Sequence, residues 1–211
     1  MDDADTPVVL IVEDEPDVAE TYRRWLEGSY DVRLAPDGPA ALDAVDETVD
    51  VVLLDRMMPG MSGQEVLAAI RERGLECRVA MVTAVDADFD VIEMGFDEYL
   101  SKPPERDELE AAVERLYERA ALEDDMQEYY SLVARRSALQ TAKTEAELAE
   151  SGEYADLVDR IEAAETTVDE DLGDMADDTD FVGAVREIMD DDGGPADPSP
   201  TDSPSMRGEE E

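Results

Sequence analysis

The chain has 211 residues, 43% of them apolar, and its 59 Asp and Glu against 17 Lys and Arg give a formal charge of -42 with no histidine. That length suits one full domain with a smaller companion rather than two large domains. A single cysteine excludes an internal disulfide, no apolar run approaches the roughly 18 residues that span a bilayer, and Met1-Asp-Asp-Ala-Asp5 lacks the basic region of a signal peptide.

Only Lys102 and Lys143 are lysines, and the acids run through the folded-looking part as well as the tail. Such a composition suits a cytoplasm that holds molar salt, where the Debye length shrinks to about 3 Å and self-repulsion is screened. A mesophilic protein with acidic tails fits less well. A cytoplasmic chain without a membrane partner is expected, and Cys77 reads as a small core residue opening an apolar run.

Pro7 to Val12 is the first apolar, β-branched run, and it hands Glu13-Asp14-Glu15 to a loop before Pro16 starts a helix. Val18, Ala19, Tyr22, Trp25 and Leu26 give that helix its apolar face, and Gly28 ends it. Tyr30 to Ala35 is a second strand, followed by an amphipathic helix over 37–47 that Asp37 caps. Asp50-Val-Val-Leu-Leu-Asp55 is a buried third strand delivering one carboxylate to the Pro/Gly loop 56–63. Asp55 is there either a turn cap or a ligand-facing group at the carboxyl edge of an open sheet.

Ser62-Gly-Gln-Glu65 has the spacing of a capping box for a helix that stops near Gly74. Val79 to Val82 is a fourth strand with Thr83 at its end. Asp86 opens a short helix through Phe89, Ile92 and Met94, which Gly95 closes. Glu98 to Lys102 is a fifth strand, Pro103-Pro104 stop it, and Leu109, Val113, Leu116 and Ala120 mark the next helix. Five strands alternating with helices predict an α/β fold, a five-stranded doubly wound parallel sheet.

From Glu123 to Ser151 there is neither proline nor glycine, and Met126, Tyr129, Tyr130, Val133, Leu139 and Ala142 give an imperfect helical stripe. Gly152 breaks it before a cleaner stripe through Tyr154, Leu157, Val158, Ile161, Ala164 and Val168. The expected arrangement is a helical hairpin, or a coiled-coil-like extension of the preceding helix. Beyond Asp169 the acids crowd, and from Gly193 the Pro, Ser and Gly content predicts disorder. Phe181, Val185 and Ile188 are spaced for one or two helical turns that a partner would have to stabilise.

Four strands thus end in polar residues on one edge of the sheet: Glu13-Asp14, Asp55, Thr83 and Lys102. Carboxylates from two strand ends suit Mg²⁺, which takes oxygen ligands at about 2.0 to 2.1 Å and keeps positions for water and a phosphoryl oxygen. Lysine supplies the point charge a phosphoryl group needs, and the threonine hydroxyl a neutral donor. Asp55, between metal and lysine, is the natural nucleophile for an aspartyl phosphate.

Residues 7 to about 120 resemble the receiver domain of two-component response regulators. The likeness rests on Val-Glu-Asp-Glu at 12–15, Asp-Arg-Met-Met-Pro-Gly-Met-Ser-Gly at 55–63, Val-Thr-Ala at 82–84 and Gly-Phe-Asp-Glu-Tyr-Leu-Ser-Lys-Pro at 95–103. The resemblance implies a flavodoxin-like receiver in which Asp55 accepts a phosphoryl group from the phosphohistidine of a sensor histidine kinase. It implies that Asp14 and Asp55 ligate Mg²⁺, with Glu13 acting directly or through water and the backbone carbonyl of Met57 completing the set. Lys102 would pair with the phosphoryl oxygens, Thr83 would move to them, and Tyr99 stands at the place of the switch aromatic. Their shift would reshape the face of the fourth helix, fifth strand and fifth helix. By its residues alone Tyr99 is equally an ordinary edge-strand aromatic.

Residues 121 to 168 resemble the HalX domain of halophilic archaea, through Tyr129-Tyr-Ser-Leu-Val-Ala-Arg-Arg-Ser-Ala-Leu139, Lys143-Thr-Glu-Ala-Glu-Leu148 and Glu153-Tyr-Ala-Asp-Leu157. The expected division is a receiver over 7–120, a HalX-like helical output domain over 121–168 and an acidic tail over 169–211.

Three outputs compete. A homodimer or docked partner follows if the imperfect stripe cannot be buried within one chain. Direct DNA binding, or contact with the transcription machinery in transcriptional regulation, would have to use the sparse bases Arg135, Arg136 and Lys143, which fit a solvated helix face better. A Mg²⁺-dependent phosphatase of the haloacid-dehalogenase type would need a second Asp two residues past Asp55, where Met57 stands, so a non-enzyme is expected. Met57 also has no polar group to position water, which predicts a long-lived phosphoryl-Asp55.

Overall fold

The computed structural model describes residues 6–120, 122 and 124–175. Its sheet has five parallel strands in the order β2-β1-β3-β4-β5, with β1 at Val8–Val12, β2 at Asp31–Ala35, β3 at Val51–Leu54, β4 at Arg78–Thr83 and β5 at Glu98–Ser101. The central strands are apolar at nearly every position because both faces are covered.

Alternation sorts them. Leu10, Val12, Val52, Leu54, Val79 and Met81 point to one face, against Ala41 of α2 (Gly38–Ala44) and Val66, Leu67 and Ile70 of α3 (Gly63–Glu72). Val9, Ile11, Val51, Leu53, Ala80, Val82 and Leu100 point to the other, against Tyr22 and Leu26 of α1 (Pro16–Leu26) and Leu109, Ala112, Val113 and Leu116 of α4 (Arg106–Arg119). The doubly wound fold expected from the sequence is the one observed.

Local signals hold in the first half of the chain. Asp37 accepts from the backbone N–H of Ala40 at 2.8 Å, and Ser62 and Glu65 complete the capping box of α3. The helix expected after Asp86 is instead a 3₁₀ helix, Phe89–Glu93, capped by Asp88 through the Phe89 N–H. Five residues with adjacent β-branched Val91 and Ile92, closed by Gly95 at φ 72°, leave no room for an α-helical run.

The larger corrections concern the C-terminal helices. The stretch 123–151 is not one helix: α5 (Asp124–Ala142) stops, and α6 (Glu145–Glu150) restarts from a Thr144–Glu147 capping box. A break needs no glycine or proline when a good N-cap offers the backbone a new start. Gly152 then opens α7 (Gly152–Met175); Phe181, Val185 and Ile188, like all residues from 176 on, lie outside the described residues.

Nor does the stripe stay unburied. Met126, Tyr130, Leu139, Leu157, Ile161 and Val168 of the two stripes are buried within the chain, with Leu132 and Ala138 beside them, and Tyr129, Val133, Ala142, Tyr154, Val158 and Ala164 are half-buried. Leu132, Ala138, Leu139, Leu148, Leu157 and Ile161 join the same apolar cluster as the α2/α3 face of the sheet. The argument for a homodimer from an unburiable stripe therefore falls. α5 and α7 run antiparallel: Gln140 meets Tyr154 at one level, while Arg135 and Arg160 both reach the 3₁₀ segment at another.

Candidate functional site

At the carboxyl edge of the sheet, parallel register brings distant residues together. Val12 pairs with Leu54 and with Ala35, so the chain leaves β1 and β3 side by side, and the Asp55 N–H donates to the Val12 carbonyl at 2.9 Å. Glu13 and Asp55 are buried and Asp14 is half-buried. Carboxylate oxygens of Glu13, Asp14 and Asp55 all lie within 4.8 Å of one another. Thr83 ends β4, 1% exposed, and its carbonyl accepts from the Lys102 N–H at 2.8 Å, which sets Lys102 beside it. The Lys102–Pro103 peptide is cis.

Lys102 bridges the acids. Its Nζ lies 2.5 Å from Glu13 Oε2 and 2.6 Å from Asp55 Oδ2, and its side chain is 13% exposed. Asp55 Oδ1 is held separately by the Met57 N–H at 3.0 Å. Burial pushes the Glu13 carboxyl above its usual range; the hydrogen bond and charge of Lys102 oppose this, and the neighbouring Asp55 adds to it. Burial also works against the Lys102 ammonium, but the hydrogen bonds and charges of Asp55 and Glu13 together outweigh it and hold Lys102 above its usual value. The two directions agree: the Lys102 ammonium gains two partners, while Glu13 shares its one cation with a neighbouring carboxylate.

Glycine at 63 is a steric requirement. A Cβ there would sit 2.2 Å from the Asp55 carbonyl oxygen and 2.9 Å from Arg56 Cα, so the N-terminus of α3 closes directly onto the Asp55 loop. The Gly63 N–H donates to the Arg56 carbonyl at 3.0 Å. Met57 projects outward, 63% exposed.

Tyr99 sits on β5, half-buried, its ring 5.6 Å from that of Phe96 and its hydroxyl donating to the Val85 carbonyl. Thr83, Lys102, Asp14, Glu13 and Asp55 are brought together as the sequence predicts, and Tyr99 lies one loop away, joined through Val85 to Thr83 Oγ1, which accepts from the Val85 N–H at 3.4 Å.

Arg56 is the residue that sequence reasoning passed over. Its side chain is 12% exposed and Nη2 pairs with Asp90 in the 3₁₀ helix. Its position directly after Asp55 was the available signal. Of the three bases considered for a patch or a solvated face, Arg135 and Lys143 are engaged within the chain. Arg135 is 8% exposed and donates to the Ile92 carbonyl at 2.9 Å, and Lys143 pairs with Asp88 at 2.9 Å over the Phe89 ring.

Residues 9–114 match the family model described as the response regulator receiver domain, and residues 118–185 match the HalX domain. A candidate transcriptional regulator of Haloferax volcanii is 48% identical over 157 residues, 74% of this chain and 27% of that protein. The sensory transduction protein RegX3 of Mycolicibacterium smegmatis is 39% identical over 122 residues, 56% of this chain and 53% of its own length. The chain thus spans between about a quarter and about half the length of these relatives. Among solved structures, the signal receiver domain of a candidate Luxo repressor protein from Vibrio parahaemolyticus is 31% identical with a TM-score of 0.52, covering 56% of this chain and 95% of that one. A BeF3-activated DrrB receiver domain is 29% identical with a TM-score of 0.50, covering 54% of this chain and 99% of that one. Among the described residues no helix is long and apolar enough to cross a membrane.

Proposed function

From the chain's membership of the response regulator receiver family, with a HalX domain following the receiver, we propose that it is a phosphorelay protein whose Asp55 takes a phosphoryl group from a sensor histidine kinase. The observation that carries this is the bridge at Lys102: one ammonium within 2.6 Å of two buried carboxylates, with Asp14 beside them. Three formal negative charges against one positive leave a site that calls for a further cation and is built to handle an added anion only when it has one.

The donor set suits Mg²⁺. It is all oxygen, it comes from Glu13, Asp14 and Asp55 within 4.8 Å, and the backbone carbonyl of Met57 stands on the same loop to complete it. When bound, the ion neutralises phosphoryl oxygens. The rest belongs to the chain. An Asp55 carboxylate oxygen forms the new P–O bond as the P–N bond of phosphohistidine breaks, and the electron pair goes to the imidazole nitrogen, which then takes a proton from water. Lys102 exchanges Asp55 Oδ2 for a phosphoryl oxygen, and the Met57 N–H keeps the carboxyl from rotating. Thr83 turns its hydroxyl to another phosphoryl oxygen, which changes its tie to Val85 and through it Tyr99.

Hydrolysis is slow in this proposal, because the thioether of Met57 neither positions water nor moves a proton. The same residue counts against a phosphatase. The receiver occupies 7–120 and the helical part from 121 is the output, acting through a second copy or a docked partner once its face on the receiver is freed. The relatives named as transcriptional regulators support transcriptional control as the effect. The composition supports a halophilic cytoplasm as the setting.

The test is phosphorylation by acetyl phosphate in Mg²⁺ and molar KCl, with acetate as leaving group, read by intact mass and by oligomeric state for the wild type and Asp55→Ala. A base-labile phosphoryl adduct on the wild type alone is expected. Its absence from the wild type, or its presence on Asp55→Ala, overturns the assignment.

A further inference from the structure

Sulfur in the described part of the chain is sealed, with one exception. Cys77 is buried, and burial pushes its thiol above the usual range, so little thiolate forms to meet an oxidant. Met58, Met81, Met94 and Met126 are buried. Met61 is half-buried and packs on α2, where a Cβ at Gly38 would fall 2.8 Å from its Sδ. Met57 alone among the described methionine side chains is open to solvent, at 63%.

That exception lies on the loop of the nucleophile. The Met57 N–H donates to Asp55 Oδ1 at 3.0 Å, so the thioether hangs from the residue that steadies the carboxylate. Its neighbours are tied down: Arg56 pairs with Asp90, and Met58 is buried in the cluster on the α2/α3 face. With both flanks fixed, the Met57 side chain turns to solvent while its backbone stays at the site. An unbranched stem with free rotation keeps the sulfur within reach of whatever Asp55 carries. Packing neither shields this sulfur nor requires it.

We propose that Met57 is a modification site, a thioether that hydrogen peroxide converts to the sulfoxide, and that the sulfoxide shortens the life of phosphoryl-Asp55. This rests on Asp55 being the phosphoacceptor. In the modification a lone pair of Sδ attacks one peroxide oxygen, and the S–O bond forms as the O–O bond breaks. The hydroxyl carried to sulfur gives its proton to the departing hydroxide, which leaves as water; sulfur loses two electrons and the peroxide gains them. Neither the Met57 N–H nor its carbonyl is touched. The product bears a polar oxygen where the thioether was only a weak acceptor.

That oxygen accepts a hydrogen bond from a water and turns the water's lone pair toward phosphorus. The water oxygen forms a new P–O bond as the bond from phosphorus to the Asp55 oxygen breaks. The electron pair restores the carboxylate, the water's proton passes to solvent, and Lys102 regains its place beside Asp55 Oδ2. Because Met57 is already in solvent, the new polar group leaves the core intact, unlike oxidation of a buried methionine. A methionine sulfoxide reductase returns the thioether, so the change is reversible.

Full-length protein in molar KCl is treated with dilute hydrogen peroxide, desalted, and mapped by peptide mass to fix the oxidised fraction at each methionine. Acetyl phosphate and Mg²⁺ then load Asp55, and the adduct is followed by intact mass after the donor is removed. Met57 is expected to oxidise ahead of Met58, Met61, Met81, Met94 and Met126. The adduct on the oxidised chain is expected to decay roughly 2- to 10-fold faster, the span that one hydrogen bond is worth. Met57→Leu, which keeps the bulk and removes the sulfur, should decay alike with and without peroxide treatment. Met57→Gln, which carries a fixed polar acceptor, should decay fast without peroxide, and methionine sulfoxide reductase should restore slow decay to the oxidised wild type. Oxidation of the buried methionines with Met57 intact overturns the proposal. So does an oxidised chain that takes up no phosphoryl group or keeps it as long as the unoxidised one, an equal acceleration in Met57→Leu, slow decay in Met57→Gln, or fast decay that persists once the thioether is restored. No adduct on the unoxidised wild type overturns the phosphoacceptor reading, and the effect on lifetime with it.

Discussion

Replacing Lys102 by Ala isolates the electrostatics of the site. The substitution removes a cation 2.5 Å from Glu13 and 2.6 Å from Asp55, both buried, and leaves two carboxylates facing each other. Breaking a buried pair by deleting one partner costs about 3–5 kcal/mol. The lower end, about 3 kcal/mol, applies here because the Lys102 side chain keeps some exposure and Glu13 can take up a proton. For a domain of this size that is a fall of roughly 6–12 °C in Tm, at about 2–4 °C per kcal/mol. The sign with pH follows from Glu13. Its folded-state value lies above 4.5, so its contribution favours the fold below that pH and is lost as pH rises through the folded value. Without Lys102 the opposing hydrogen bond and charge vanish and the folded value rises further. The gap in Tm between variant and wild type should therefore be small in acid, where Glu13 is protonated in both, and full near neutrality. Mg²⁺ should narrow it at neutral pH. Thermal unfolding of the full chain, followed by circular dichroism in molar KCl with chelator and then with Mg²⁺, measures all three. A neutral-pH gap below about 2 °C, or a gap equal in acid and at neutrality, would refute the reasoning.

Gly63→Ala puts a Cβ within 2.2 Å of the Asp55 carbonyl, so the loop must move; a loss of about 1–3 kcal/mol in denaturant unfolding and slower phosphorylation by acetyl phosphate are expected. Leu139→Ala, at a fully buried position in the cluster shared with the sheet, should cost about 2–5 kcal/mol and lower one cooperative transition rather than split it in two, as calorimetry would show. Met57→Asn supplies a polar group two residues past Asp55 on an exposed side chain and should shorten the phosphoryl lifetime, followed by intact mass after removal of the donor.

The sheet was legible because each strand carries its own signal: an apolar run such as Val51–Leu54, ended by a carboxylate and a turn. The site followed from it, since parallel strands put their carboxyl ends on one edge and the residues there were Glu13, Asp14, Asp55, Thr83 and Lys102. What was not legible depends on contacts that no local pattern reports. Arg56 stands out locally only by following Asp55; its partner Asp90 lies 34 residues away, and the fold alone brings it there. The stripe of α5 looked too ragged to bury because it serves two partners at once, with Leu132 and Leu139 meeting the sheet-side cluster while Tyr130 lies under Arg119 of α4 at 4.3 Å. One missed signal was local. Thr144 and Glu147 spell a capping box, and a cap restarts a helix even where neither glycine nor proline interrupts the run.

The way the hairpin is anchored fits the salt in which such a composition works. At about 1 M salt the Debye length is near 3 Å, and exposed ion pairs contribute close to nothing. Lys143 pairs with an Asp88 that is 65% exposed, and Arg160 with a Glu93 that is 84% exposed, so both are aids to encounter rather than to holding. Arg135 differs on each count. It is buried, and its acceptor on the receiver is the neutral carbonyl of Ile92, itself a member of the continuous apolar cluster. Screening does not reach a buried hydrogen bond, and high salt strengthens rather than weakens apolar burial when the anion is strongly hydrated. Docking that rests on Arg135 and Leu139 should therefore vary little with KCl.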